Sequence, residues 1–296
     1  MSPVDGLILA DKPAGITSHD MVARARHALG RRRVGHAGTL DPFATGLLIL
    51  LVGRATRVQR YLMALPKTYE VEVRFGATST TGDTEGVVTE TGVLPDFPLV
   101  LPTGELQQRP PAHSAVKVDG ERSYARARRG EAVVLDERPI HVHEFTTVWQ
   151  GGDRAGLRIV CGSGTYVRSL VADLGDAYCV ELRRTAIGPF GVTGGWPGVG
   201  HVDVTDLYAG LRLIMPVVSL AGDEARAATH GRAVGVPDGG LRDPGPAGAA
   251  GAGGGADVPG TPRVWDHALL VDGEGPVAVA ETREGGLLKP VVGFRA

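Results

Sequence analysis

Residues 46–53, GLLILLVG, make up the longest uninterrupted apolar run of the chain. Its eight residues stop far short of the roughly 18 that a helix needs to cross a bilayer. A run of this length bounded by turn residues reads as a strand instead. With 296 residues, 43% of them hydrophobic and 22% charged, the chain can build one large domain, or a large domain with a small one beside it. The first residues, MSPVDGLILADKP, lack a basic n-region and set Asp5 and Asp11 around their apolar run, which makes a poor signal peptide. Cys161 and Cys179 lie 18 apart and form no CxxC. That spacing excludes a disulfide framework or zinc knuckle and suits a reducing cytoplasm, with no membrane partner.

The formal net charge of −2 does not advertise a nucleic-acid binder, but the charge is uneven. Residues 1–60 carry 9 basic against 4 acidic side chains, while residues 201–296 carry 8 against 12. The front-loaded charge is nearly all arginine: Arg24, Arg26, Arg31, Arg32, Arg33, Arg54, Arg57 and Arg60. Arginine forks grip phosphates in pairs and stack on bases. A local basic face on a neutral protein fits a compact RNA target, although runs of surface arginine are commonly only solvated.

Turn residues divide the chain into short elements. VDGLILA at 4–10 reads as a buried strand, and Thr17 or Ser18 as the N-cap of a helix running to Leu29 and ended by Gly30. VGHAGTLDPFATG at 34–46 reads as a glycine-punctuated loop leading into the LLILLV strand. A helix is expected over 54–65, an alternating strand at 69–75, a turn at 78–86 and irregular chain over the proline-broken 93–107. SYARARRG predicts a helix ending at Gly130, strands are expected at 140–149 and 156–161, and a helix over about 165–178. Residues 237–262 contain 9 Gly and 5 Pro in 26 positions. This composition predicts a disordered insertion in a small β-rich C-terminal unit.

The densest chemistry lies in Gly35-His36-Ala37-Gly38-Thr39-Leu40-Asp41-Pro42. Pro42 keeps Asp41 out of helical angles, and the glycines admit close approach of another backbone. A carboxylate on such a loop just after an arginine run is placed to meet a polyanion, though Asp-Pro also simply begins turns. Ser18-His19-Asp20 imitates a hydrolase triad, yet neighbours at a helix start point in different directions, and capping explains them better. His141 and His143 share one face of a strand with no third metal ligand near in sequence. GSGTY at 162–166 matches no nucleotide-binding fingerprint. Tyr69 opens an alternating strand, where a core or half-exposed aromatic is the default. Arg168, two residues after Tyr166 near a helix start, reads as a surface residue; an arginine placed beside Asp41 would keep that carboxylate ionised.

Five segments occur in a familiar order: LILADKPAGITSHDMV, RRRVGHAGTLDPFATGLLIL, KTYEVEVRFGATSTTGDTEG, QRPPAHSAVKVDGERSYARARRGE and CGSGTYVRSLVADLG. Over residues 4–190 the chain resembles the TruB-type tRNA pseudouridine synthases. The resemblance implies an α+β fold with a central mixed, mainly antiparallel sheet flanked by helices. A catalytic domain would span 1–212 and a small β-rich PUA-like domain 213–296. The implied reaction isomerises uridine 55 of the tRNA T-loop to pseudouridine: N1–C1′ breaks, the base turns, and C5 is joined instead. It needs no metal and no cofactor. Asp41 would be the catalytic carboxylate, Arg168 its ion-pair partner, and Tyr69 the ring stacked on the flipped uracil near C5. Tyr166 and Leu182 would line the pocket, and His36 would fill the vacated stack. Lys12 and Pro13 would buttress the catalytic loop, while Asp83 would touch RNA or the pocket wall. Arg122 belongs to an arginine-rich segment, 114–140, that resembles a mobile loop closing over the T-arm. The implied partner is tRNA alone, bound by a monomer with no protein partner. A guide-dependent RNA pseudouridine synthase and a tRNA-folding chaperone are the competing readings. The short 93–107 spacer departs from the family pattern, as does the 237–262 tract. The acidic excess of the C-terminal part disfavours strong phosphate gripping there.

Overall fold

The computed structural model describes residues 5–235 and 266–295, except 113, 115, 119, 124, 125, 127, 128, 130 and 132–134. Both the 237–262 tract and most of the helix expected over SYARARRG therefore lie outside the described residues.

One large sheet organises the chain. Its strand order is Thr205–Asp206, Gly6–Lys12, Thr45–Val52, Ala177–Ile187, Lys67–Phe75, Arg154–Cys161, Arg138–Gly151 and Gly104–Gln108, with Val34–Ala37 and Phe190–Gly191 attached at the sides. Every pairing is antiparallel but one: Thr45–Val52 meets Ala177–Ile187 in parallel, through only Arg183↔Thr45 and Arg184↔Gly46. The apolar run at 46–53 is the hub of one half, pairing with Gly6–Lys12 and with Val34–Ala37. Its residues 47–52 are at most 1% exposed, as expected of a strand covered on both faces.

The helix Ser18–Leu29 is fixed at both ends. Thr17 and Asp20 form a reciprocal capping box, and Gly30 closes the C-terminus in the left-handed region at φ 61°. Its apolar residues Met21, Val22 and Ala25 join Tyr69, Val71, Val73, Ile159 and Leu182 in the core on one side of the sheet. On the other side Leu7, Leu47, Ile49 and Leu51 pack against the C-terminal strands through Leu269, Val271, Val279 and Phe294. Those strands form a second sheet in the order Val217–Ser219, His267–Asp272, Gly275–Arg283, Leu287–Gly293 and Val234–Gly235. The boundary expected at 212/213 falls between the helix Leu207–Leu211 and the strand Val217–Ser219.

Four sequence expectations need correction. Residues 34–37 are a strand rather than loop, because Val34 and Ala37 bury against the hub strand. The expected 54–65 helix is a 3-10 turn, Gly53–Val58, followed by a short α-helix, Gln59–Ala64. The 93–107 spacer ends in an edge strand, Gly104–Gln108, paired with Arg138–Val142. The helix expected over 165–178 is confined to Val167–Ala172; the chain turns at Gly175, φ 127°, and becomes the central strand Ala177–Ile187.

Candidate active site

Asp41 lies on the connection between Val34–Ala37 and Thr45–Val52, next to the parallel junction of the sheet. Three buried polar side chains hold this connection. The Ser18 hydroxyl accepts from the Leu40 amide at 2.9 Å and donates to the Leu40 carbonyl at 3.2 Å. Thr17 thus supplies the helix cap, and Ser18 holds the loop instead. Lys12 Nζ donates to the carbonyls of Pro13, Ile16 and Pro42 at 2.9, 2.8 and 3.1 Å, using all three ammonium protons. Arg184 donates from Nε to Leu47 O at 2.7 Å and from Nη2 to Gly38 O at 3.0 Å.

The Asp41 carboxylate meets Arg168 Nε at 2.9 Å. Arg168, first turn of the helix Val167–Ala172, is 4% exposed, while the Asp41 side chain keeps 33% exposure and so opens to solvent on one side. The same guanidinium reaches Asp83 at 3.3 Å and donates to Thr81 O at 2.6 Å. Asp83 is held in turn by the Thr81 hydroxyl and the Glu85 amide. Burial pushes the Asp41 carboxyl above its ordinary value; Arg168 opposes the rise and the Asp83 carboxylate adds to it. Glu85 also shifts upward, through partial burial and the neighbouring Asp83 and Asp41 charges.

Tyr69 is 9% exposed on the strand Lys67–Phe75. Its backbone is opposite Arg184 on one side and Ile159 on the other. Burial raises its phenol, and the positive charge of Arg184 works against that rise. Leu182 faces the same side, opposite Val71. Tyr166 is locked through its backbone by Gln108, which donates to Tyr166 O at 3.0 Å and accepts from its amide at 2.8 Å. Pro13 is exposed beside Lys12. Phe43, Thr45, Thr84, Glu85, Leu182 and Arg183 border a cleft of about 780 Å³.

Asp41, Arg168, Asp83, Lys12 and Tyr69 therefore converge on one region, linked by direct contacts or mutual electrostatic influence. His36 sits on the adjoining strand with His19 edge-on at 6.1 Å, and Gln59 Nε2 donates to its carbonyl at 2.7 Å. Arg122 lies apart in sequence, on the hairpin Lys117–Val118/Glu121–Arg122. Several arginines of the N-terminal cluster prove to be internal ties: Arg26 to Val34 O, Arg33 to Thr56, Arg54 to Asp5 and Phe294 O, Arg57 to Gly293 O. Sequence reasoning missed Arg184, Ser18 and Glu85. Arg184 gave no signal because Arg183-Arg184 reads as a solvated pair. Among the described residues no His, Cys, Asp and Glu cluster fits a metal. His141 instead contacts Glu105 at 3.0 Å, with the His143 ring 4.4 Å away.

Two solved structures share this architecture across nearly the whole chain. A complex of substrate RNA with an H/ACA ribonucleoprotein, the RNA containing 2′-deoxyuridine, matches with TM-score 0.65 and 21% identity, covering 98% of this chain and 85% of the other. A Cbf5–Nop10–Gar1 complex matches with TM-score 0.64 and 22% identity, covering 97% and 83%. The chain shares its fold with both of these proteins. The signature of the TruB family pseudouridylate synthase N-terminal domain matches residues 26–167. The tRNA pseudouridine synthase B of Arthrobacter sp. (strain FB24) is 37% identical over 313 residues, covering 98% of this chain and 97% of the relative. That of Thermobifida fusca (strain YX) is 42% identical over 253 residues, covering 78% and 86%. The chain belongs to the TruB family of pseudouridine synthases.

Proposed function

We propose that this chain converts uridine 55 in the T-loop of tRNA to pseudouridine, with residues 1–212 carrying the chemistry and 213–296 extending the contact with RNA. The observation that carries the reading is the Asp41–Arg168 pair: a carboxylate 2.9 Å from a buried guanidinium and open on its far side. Three routes are available to such a carboxylate: attack on C1′, removal of the 2′ proton, or addition at C6 of the base. Each needs it ionised, and Arg168 favours the ionised form against the cost of burial. Tyr69, held on the neighbouring strand, is the group to stack on the extruded uracil near C5. Extrusion costs a few kcal/mol of stacking, and His36 offsets it by filling the gap. Tyr166 and Leu182 line the base pocket, Lys12 and Pro13 support the catalytic turn, and Asp83 holds Arg168. Arg122 and its segment close over the T-arm. The 2′-hydroxyl restricts the reaction to RNA, and substrate and product are isomers, so no cofactor enters.

Tritium release from an unmodified tRNA transcript labelled at C5 of uridine tests this, because C5 loses its hydrogen only on becoming the glycosidic carbon. Wild type is expected to release tritium with no guide RNA, Asp41→Asn to fall by at least about 10³-fold, and substitution of uridine 55 by cytidine to abolish release. Equal release by both proteins would place the chemistry on another carboxylate. No release by wild type despite tight tRNA binding would favour the guide-dependent or chaperone reading.

A further inference from the structure

Arg184 is the largest of the fully buried side chains, with 1% exposure. Buried arginines ordinarily face a carboxylate, since an isolated charge inside a protein is costly. Among the described residues, the hydrogen bonds of this guanidinium run to Leu47 O at 2.7 Å, Gly38 O at 3.0 Å and Thr39 O at 3.5 Å, and Tyr69 is the residue paired across the strand from it. Those partners span the active site. Gly38 and Thr39 lead directly to Asp41. Leu47 belongs to the strand that leaves the catalytic loop, and Tyr69 lies across the sheet on Lys67–Phe75. The carrier strand reinforces the tie, because Arg184 pairs through its backbone with Gly46 on one side and Tyr69 on the other. Lys67, also buried beside it, is pushed down to about 7 by desolvation and by the Arg184 charge, so the local field is positive.

We propose that Arg184 is a positioning residue for the isomerisation: its guanidinium ties the loop that carries Asp41 to the strand whose backbone pairs with Tyr69, and so fixes the Tyr69 ring relative to that loop. The inference rests on the roles given above to Asp41 and Tyr69. The base must turn between cleavage at N1 and rejoining at C5, so a carboxylate acting at one end and a ring held at the other must keep a constant separation. Among the described residues, the backbone pairing of Thr45–Val52 with Ala177–Ile187 is the two-pair parallel junction, which by itself specifies that separation weakly. A planar fork with fixed donor directions specifies it well.

The test is a double-mutant cycle on the full chain with Arg184→Lys, Tyr69→Leu and the double variant. Tritium release gives turnover and KM, filter binding gives the tRNA Kd, and thermal unfolding reports folding. Lysine keeps the charge and loses the fork. Arg184→Lys is expected to lower turnover by at least about 30-fold with KM and Kd within about threefold. The double variant is expected to be no more than about twofold slower than Tyr69→Leu alone. If the lysine variant does not fold, Arg184→Gln, which keeps neutral donors toward the carbonyls, replaces it in the same cycle. Independent losses that multiply in the double variant, or a Kd loss equal to the turnover loss, would overturn the positioning role and leave the proposed reaction intact. A fully active Tyr69→Leu, which has no ring to stack, would overturn the role of Tyr69 and this inference together.

Discussion

Lys12 ties the loop that carries Asp41 to the rest of the fold. It is fully buried, and its three protons all serve carbonyls around the catalytic turn. Burial pushes its ammonium down from 10.5 to about 8. As pH rises through about 8 the amine loses a donor while a lone pair comes to face a carbonyl, so turnover is expected to fall there. Stability moves the other way. Between about 8 and 10.5 the unfolded chain holds the proton that the folded chain has released, so stability gained from this group increases with pH. Relative to Lys12→Met, wild type is expected to gain up to about 3 kcal/mol over that range. Turnover and urea unfolding, followed side by side from pH 7 to 10, check both signs. A rise of both together would remove Lys12 from the loop.

Among the elements, the seam between Thr45–Val52 and Ala177–Ile187 has little tolerance. At Gly46, φ is 101° and an added Cβ would stand 2.2 Å from the Arg184 carbonyl oxygen. Gly46→Ala is expected to cost at least about 3 kcal/mol, strain and clash together. Gly15→Ala, also at positive φ but with nothing within 4 Å, should cost only about 1 kcal/mol; thermal unfolding compares them. This seam also marks where the sequence could be read and where it could not. Local signals sufficed for the capped helix Ser18–Leu29, the hub strand and the alternating Lys67–Phe75. Asp41 was legible from its glycine-flanked, proline-locked setting, and Arg168 and Tyr69 from family motifs. The strand Ala177–Ile187 was not, because Val167, Leu170, Val171 and Leu174 carry a helical spacing up to its threshold. Arg184 stayed hidden for another reason. Adjacent strand residues face opposite sides, so Arg183 meets Asp11 at 2.7 Å beside the cleft while its neighbour enters the core. No local pattern distinguishes the two.

For the whole molecule, the two sheets are joined by more than the chain. Tyr61 meets the His267 ring edge-on at 5.0 Å, and Phe294 is buried with the hub strand's apolar residues. Arg54 and Arg57 hold the carbonyls of Phe294 and Gly293. These arginines counted toward a basic RNA face in the sequence, yet their structural work is to tether the C-terminal strand. The Arg54→Ala/Arg57→Ala double variant is expected to lower stability by about 1 kcal/mol, since both side chains are solvent-screened. It should also raise hydrogen exchange over Leu287–Phe294, readable by mass spectrometry. Unchanged exchange would mean that apolar contact alone holds the strand.

The carbonyl cage around Arg184 has a consequence for ionic strength. A guanidinium neutralised by aspartates at the surface would exchange partners with every phosphate and chloride that came near. Backbone oxygens in a dry interior offer no such trade, and counterions cannot reach them. Association with a polyanion must weaken steeply as salt is added, while the spacing of the reacting groups stays as it was. Salt is therefore expected to govern how often the chain meets its RNA, and hardly at all how fast the two react once they have met.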